Sequence, residues 1–450
     1  MLIARLLGAE DLGRYSYGVA LVGLFTVLFD FGILPVAVHS LSRQPSSSAL
    51  RTFATLKFAT TIVGLVLLGV AVMLSKISLA DAWIAFGIGV YLGLNDLATF
   101  VVATYRAQGE FWRETLYRSV TAVAQLVLCL FAILLTHELK VIVAVLIVAA
   151  LVGMIPLLAE TARHPSGEGI PMGWHGIATA AYRCFPLAGS ILVTSVYMNL
   201  DIVILARHVS LEEVGWYGVA VKAIFGLLIV PLPYLLSASF PALASEMMSN
   251  PPEVMRARWL RGFVLSSMAG AILCLATALI ASQLLRTLFG AGYVPASPLL
   301  VVFCLIGFLF YLYTPLSQWL LQQGQQKFTF YIQCGAIVVN FLTVPLFISL
   351  WGLWGAVAAA FATHLSIAAS HAVVVFRGTS FNRADLWALV RISLAITNSI
   401  ALLYFEIGGP SLSKLLAVIA FFAVSHREAL TMFNYLRSVN QKLISGGPTA

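Results

Sequence analysis

Charge is what this chain has least of. Asp, Glu, Lys and Arg make up 10% of its 450 residues, against about 25% in soluble domains, and no polar stretch is long enough for a soluble domain. The five cysteines, Cys129, Cys184, Cys274, Cys304 and Cys334, stand singly without a CxxC, which argues against a structural zinc site or a disulfide framework. GxxxxGK[ST] is missing, and with it a built-in ATP site; HExxH is missing too. No cofactor or metal is expected.

What remains is apolar. Hydrophobic residues make up 60% of the chain and mean hydropathy is +0.96. Runs of roughly 20 apolar residues, enough to cross a hydrocarbon core about 30 Å thick, recur from end to end. Lipid offers the backbone no hydrogen-bond partners, so such runs must be helices, and the expected fold is an all-α integral membrane protein. Thirteen spans are expected, near 15–39, 53–75, 82–104, 116–135, 139–159, 180–205, 215–240, 262–284, 296–321, 328–350, 353–376, 387–405 and 411–431.

Lys and Arg orient the chain. Eighteen of the 26 fall in one set of alternate breaks, among them Arg106, Arg113, Arg118, Arg256, Arg258 and Arg261; that set is cytoplasmic by the positive-inside rule. The net charge of +8 thus reflects topology, and no nucleic-acid surface is indicated.

A repeat explains the first turn. "ARLLGAEDLGRYSYGVA", residues 4–20, aligns at a shift of 202 with "ARHVSLEEVGWYGVAVK", residues 206–222; Glu10 and Glu212, Gly13 and Gly215, and Tyr15 and Tyr217 are among the matches. The second copy follows a full span, whereas the first has almost nothing before it. The expectation is therefore two pseudo-symmetric six-helix lobes, the first lacking its opening helix, followed by a helix pair, with 13 of 14 helices present. In residues, that is an N-terminal lobe over 1–160, a cytoplasmic connector over 161–178, a C-terminal lobe over 179–376 and an additional pair over 387–432.

Five ionisable residues fall inside spans, where charge is costly and marks a pathway: Asp30, Lys57, Asp96, Asp201 and Lys222. Lys57 is placed one turn inside its span, where snorkelling to the cytoplasmic surface is the favoured reading. Asp201 and Lys222 flank an outer turn almost symmetrically. They pair with each other, or Lys222 meets a phosphorylated substrate, or the two roles alternate. Asp30 and Asp96 lie mid-span, where low dielectric raises a carboxylate's proton affinity and suits H+ or Na+ coupling; a structural hydrogen bond is the rival. Asn199 joins Asp201 as a polar lining residue. Tyr311, Tyr313 and Gln318 offer ring faces and an amide to sugars, or pack between helices. His364 and His371 share a helical face without partners nearby in sequence.

Stretches such as "ARLLGAEDLGRYSYGVALVGLFTVLFDFGI" (4–33), "NLDIVILARHVSLEEVGWYGVA" (199–220), "FPALASEM" (240–247), "LFGAGYVPASPLL" (288–300) and the long run from "LLQQGQQKF" at 320 to 363 resemble the oligosaccharide flippases. These are the O-antigen and exopolysaccharide exporters of a superfamily that also holds multidrug exporters and lipid II flippases. The resemblance implies alternating access by two lobes. It also implies an undecaprenyl-diphosphate-linked oligosaccharide as cargo, the cytoplasmic (inner) membrane as location, and polysaccharide polymerase and chain-length regulator proteins as partners. The final pair would line an apolar groove for the lipid tail. A multidrug exporter is the alternative. A membrane polymerase or ligase is disfavoured, since the longest outer break, near 285–296, is only about a dozen residues.

Overall fold

The computed structural model describes residues 2–43, 47–75, 77–163, 174–229, 252–378, 383–407 and 409–445, and among these every regular element is helical. Eight helices are long and apolar enough to cross a membrane, or up to ten when each of two sharply bent pairs counts as one span. Many expose apolar side chains outward: on Phe111–Thr136, Val120, Val123, Leu126, Val127, Phe131 and Leu134 all face away from the protein. In water that surface would be an aggregation liability; in lipid it is the expected exterior.

Two compact units divide at Gly215. The first holds α1 (Leu2–Leu7), α2 (Ala9–Leu24), α3 (Thr26–Asp30), α4 (Ile33–Arg43), α5 (Ser47–Leu74), α6 (Leu79–Ala107), α7 (Phe111–Thr136), α8 (Leu139–Arg163) and α9 (Trp174–Leu205). It also takes in the first turn of α10 (Leu211–Ile224). The expected connector falls largely outside the described residues, and α9, assigned to the second lobe from sequence, packs on α2, α3 and α5 of the first unit. The first expected span is broken, with a bend of 51° between α2 and the stretch from Thr26 to Arg43. At the end of α3, Phe31 (φ 47°) and Gly32 (φ 68°) are both left-handed. A side chain at Gly32 would also come within 2.6 Å of Leu187 Cβ and 3.0 Å of the Cys184 carbonyl on α9, so only glycine fits. α9 is itself bent by 43° near Pro186, whose ring removes a backbone donor.

Helix starts follow the local chemistry. The Ser78 hydroxyl accepts the Asp81 backbone N–H at 3.1 Å to cap α6, and Ser210 and Glu213 exchange reciprocal bonds ahead of α10, a capping box read directly from S-x-x-E. α2 and α10 begin at Ala9 and Leu211, a separation equal to the repeat shift. At the start of α7, Arg106 and Arg118 both clamp the buried Glu114 carboxylate.

The second unit begins with the rest of α10, which widens into a π turn over Phe225–Ile229; the rest of the span expected at 215–240 lies outside the described residues. It then holds α11 (Pro252–Leu279), α12 (Ala281–Leu288), a 3₁₀ turn (Ala291–Ala296), α13 (Ser297–Gln322), α14 (Gln326–Gly378), α15 (Arg383–Tyr404) and α16 (Pro410–Ser445). α14 folds back on itself. Asn340 Nδ2 donates to Thr363 Oγ1 at 3.3 Å, although 23 residues of straight helix would hold them about 35 Å apart. The reversal is at Gly352 (φ 53°, ψ −126°), and Gly355 lies directly against the Phe347 carbonyl. Its two arms match the expected spans at 328–350 and 353–376.

Candidate functional site

In the first unit, three of the five intramembrane charges converge. Lys57 on α5 stands between Asp30, the last residue of α3, and Asp96 on α6. Its ammonium donates to Asp30 Oδ1 at 3.4 Å and makes a shorter bond to Asp96 Oδ2. The Lys57 side chain is only 1% exposed, whereas Asp30 and Asp96 keep 23% and 26% of theirs. This corrects the snorkelling expectation. α5 starts at Ser47, earlier than the hydropathy suggested, so Lys57 sits ten residues inside it, about 15 Å along the axis. From that depth, pairing is the way to keep the charge.

The local folding makes the cluster. The left-handed Phe31–Gly32 step ends α3 and leaves Asp30 at a chain break beside α5. Thr61 donates its hydroxyl to the Lys57 carbonyl at 2.8 Å, occupying that backbone acceptor within α5. With both carboxylates ionised the triad carries one negative charge in excess of the ammonium. A cavity of about 250 Å³ opens on Asp96, lined also by Val22, Thr26, Phe29, Leu92, Asn95 and Thr99. Asp96 therefore faces the lysine on one side and the cavity on the other.

The remaining sequence candidates do not join this cluster. Asn199 donates to the Ser195 carbonyl at 2.9 Å and packs against Gly23 of α2. Asp201 is buried, and one of its oxygens accepts the Ile202 backbone N–H at 2.8 Å. Lys222, in the last turn of α10, is exposed and belongs to the second unit. In that unit Gln318 is half-buried on α13. Tyr311 has no exposed surface, its ring filling the space that a side chain at Gly270 would need, so in this conformation it cannot meet a sugar. Tyr313 instead stacks on two buried imidazoles, His364 at 6.2 Å and His371 at 6.1 Å. Among the described residues no three His, Cys, Asp or Glu side chains are placed to hold a metal.

Sequence reasoning named Asp30, Lys57 and Asp96 separately but not as a set. The only signal was that three uncompensated charges fell in one lobe, and hydropathy does not report which faces of three helices meet.

A second feature lies in the second unit. An apolar groove of about 370 Å³ runs between α11, α13, the second arm of α14 and α15, with Phe263, Leu309, Leu316, Leu365, Leu389 and Leu394 in its walls. α15 is fastened to α16 by Ser399, whose hydroxyl donates to the Ala417 carbonyl at 2.8 Å, and by Arg391 Nε, which donates to Glu428 at 2.9 Å.

Across 97% of this chain and 95% of the other, the protein superposes on a solved lipid II flippase MurJ in its inward closed conformation, with a TM-score of 0.69 at 14% identity. Residues 1–247 match the polysaccharide biosynthesis protein family, and the chain belongs to that family. It is also 23% identical over 164 residues to the teichuronic acid biosynthesis protein TuaB of Bacillus subtilis (strain 168). That alignment covers 36% of this chain and about a third of the relative's length, 33%.

Proposed function

We propose that this protein moves an undecaprenyl-diphosphate-linked oligosaccharide from the inner to the outer leaflet of the cytoplasmic membrane by alternating access, for the assembly of a surface polysaccharide. The single observation that carries the reading is the buried Lys57 between Asp30 and Asp96. A diphosphate needs a cation in the membrane, and a polyprenyl chain needs an apolar wall. Lys57 supplies the first in a guarded form. While both carboxylates are ionised they hold the ammonium and repel an anion; when they take up protons, or when Na+ screens them, Lys57 is released to the diphosphate. Loss of the proton recaptures Lys57 and expels the headgroup, which couples transport to an ion gradient. Lys222, exposed on α10 in the second unit, is a separate candidate for contact with phosphate, and Asp201 and Asn199 remain polar candidates of the first unit.

The groove walled by α15 supports the lipid half of the reading, since it is almost wholly apolar and lies on the helix pair assigned to the tail. No step here breaks or forms a covalent bond, so the protein acts as a carrier rather than a catalyst. Polymerase and chain-length regulator proteins would receive its product.

One observation favours a second reading. The surplus carboxylate of the triad, open to a mostly apolar cavity, is also what a multidrug exporter would offer an organic cation. Deleting the gene separates the two. Loss of surface polysaccharide with unchanged drug sensitivity supports the flippase; unchanged polysaccharide with heightened drug sensitivity supports the exporter.

A further inference from the structure

Two glycines related by the repeat meet backbone to backbone. Gly13 is the fifth residue of α2 and Gly215 the fifth of α10. A side chain at Gly13 would collide with the Leu211 carbonyl and approach the Gly215 nitrogen to 3.2 Å. One at Gly215 would collide with the Ala9 carbonyl and approach the Gly13 nitrogen to 3.3 Å. Each glycine thus rests on the first residue of the other helix, and the contact repeats itself about a local two-fold axis. The whole crossing lies within residues 1–215.

Its position is informative. Both helices start at turns that the positive-inside pattern puts on the outer face. Nearby charges are used within each side: Arg14 pairs with Glu10, Asp11 and, at the start of α6, Asp81, while Glu213 bonds to Ser210 at its own helix start. Thirteen residues further on, past the bend that ends α2, Thr26 at the start of α3 faces the cavity that opens on Asp96.

We propose that the Gly13–Gly215 crossing is the outer gate of the pathway, a seal of backbone on backbone that parts to let cargo leave. Glycines suit a seal that must reopen. Without side chains the helices close to the minimum separation and shut out water, and nothing interlocks that would need repacking when they separate. A permanent joint would gain more from interdigitated apolar side chains.

The gate rests on the alternating-access reading but not on the identity of the cargo, so its first test does not measure glycan. In a chain whose five cysteines are replaced by serine, Thr26→Cys is labelled on whole cells with a membrane-impermeant maleimide, and the rate is taken per protein in the membrane. Gly13→Ala and Gly215→Ala should each raise that rate several-fold, while Gly18→Ala, which meets the Ile88 side chain on α6, should not. Rates equal to the parent in both variants would overturn the gate. A second measurement keeps the glycines intact. Cysteines at Ala9 and Leu211, bridged by a cleavable bis-maleimide, should stop export of the native glycan until the bridge is cut; export by the bridged protein at the parent rate would also overturn it. If the gate holds but no glycan is moved in any background, the cargo assignment alone fails.

Discussion

Lys57 Nζ lies 3.4 Å from Asp30 Oδ1, and the lysine that makes this contact is almost completely enclosed. The partner residues are 27 positions apart in sequence and come together because the first membrane segment breaks at Phe31–Gly32. The buried ammonium keeps a carboxylate partner unless both Asp30 and Asp96 are removed, so the triad is a structural joint as well as the proposed switch.

Lys57→Ala is therefore expected to destabilise the protein by about 3–5 kcal/mol, the usual cost of breaking a buried pair, and to abolish export. Adding Asp30→Asn and Asp96→Asn should recover most of the thermal stability measured in detergent without recovering export. If the triple variant exports normally, Lys57 has no part in carrying the cargo.

Asp96→Asn should weaken the dependence of export on the ion gradient more than Asp30→Asn, because Asp96 alone of the two lines the cavity. Binding of a lipid diphosphate should strengthen as pH falls in the parent, since protonated carboxylates release Lys57, and should become nearly independent of pH when both aspartates are Asn. Binding assays across pH on reconstituted protein check this.

Lys222→Ala should abolish export and Lys222→Arg should retain part of it, because guanidinium keeps the charge but not the compact ammonium. Normal surface glycan in a well-expressed alanine variant would remove Lys222 from the mechanism.

Ala368→Trp or Leu394→Phe, which fill the groove beside α15, should cut export by an order of magnitude or more while leaving the melting temperature within a few degrees. Arg391→Ala should instead cost stability, about 2 kcal/mol, by leaving Glu428 buried without its partner. Surface glycan and thermal stability measured on the same variants separate a tail site from a structural one.

Much of this was legible beforehand for simple reasons. Hydrophobic runs report membrane spans because the bilayer tolerates nothing else. The repeat placed Gly13 opposite Gly215 in an alignment. It did not say that they touch. Lys57 was misread because one lysine near an apparent span end looks the same whether it snorkels or pairs, and only the true start of α5 distinguishes the two. From sequence, Tyr311 either offers a ring to a sugar or packs between helices, and only Gly270 beneath it shows that it packs.

Composition and periodicity by themselves determined that the chain is a helical membrane protein and where its intramembrane charges lie, since these depend on transfer of each segment from water to lipid. The tertiary structure decided which charges meet, which glycines close on one another and which helices wall the groove. Those depend on how helices rotate and break against their neighbours, and that rotation is set by packing between residues far apart in sequence.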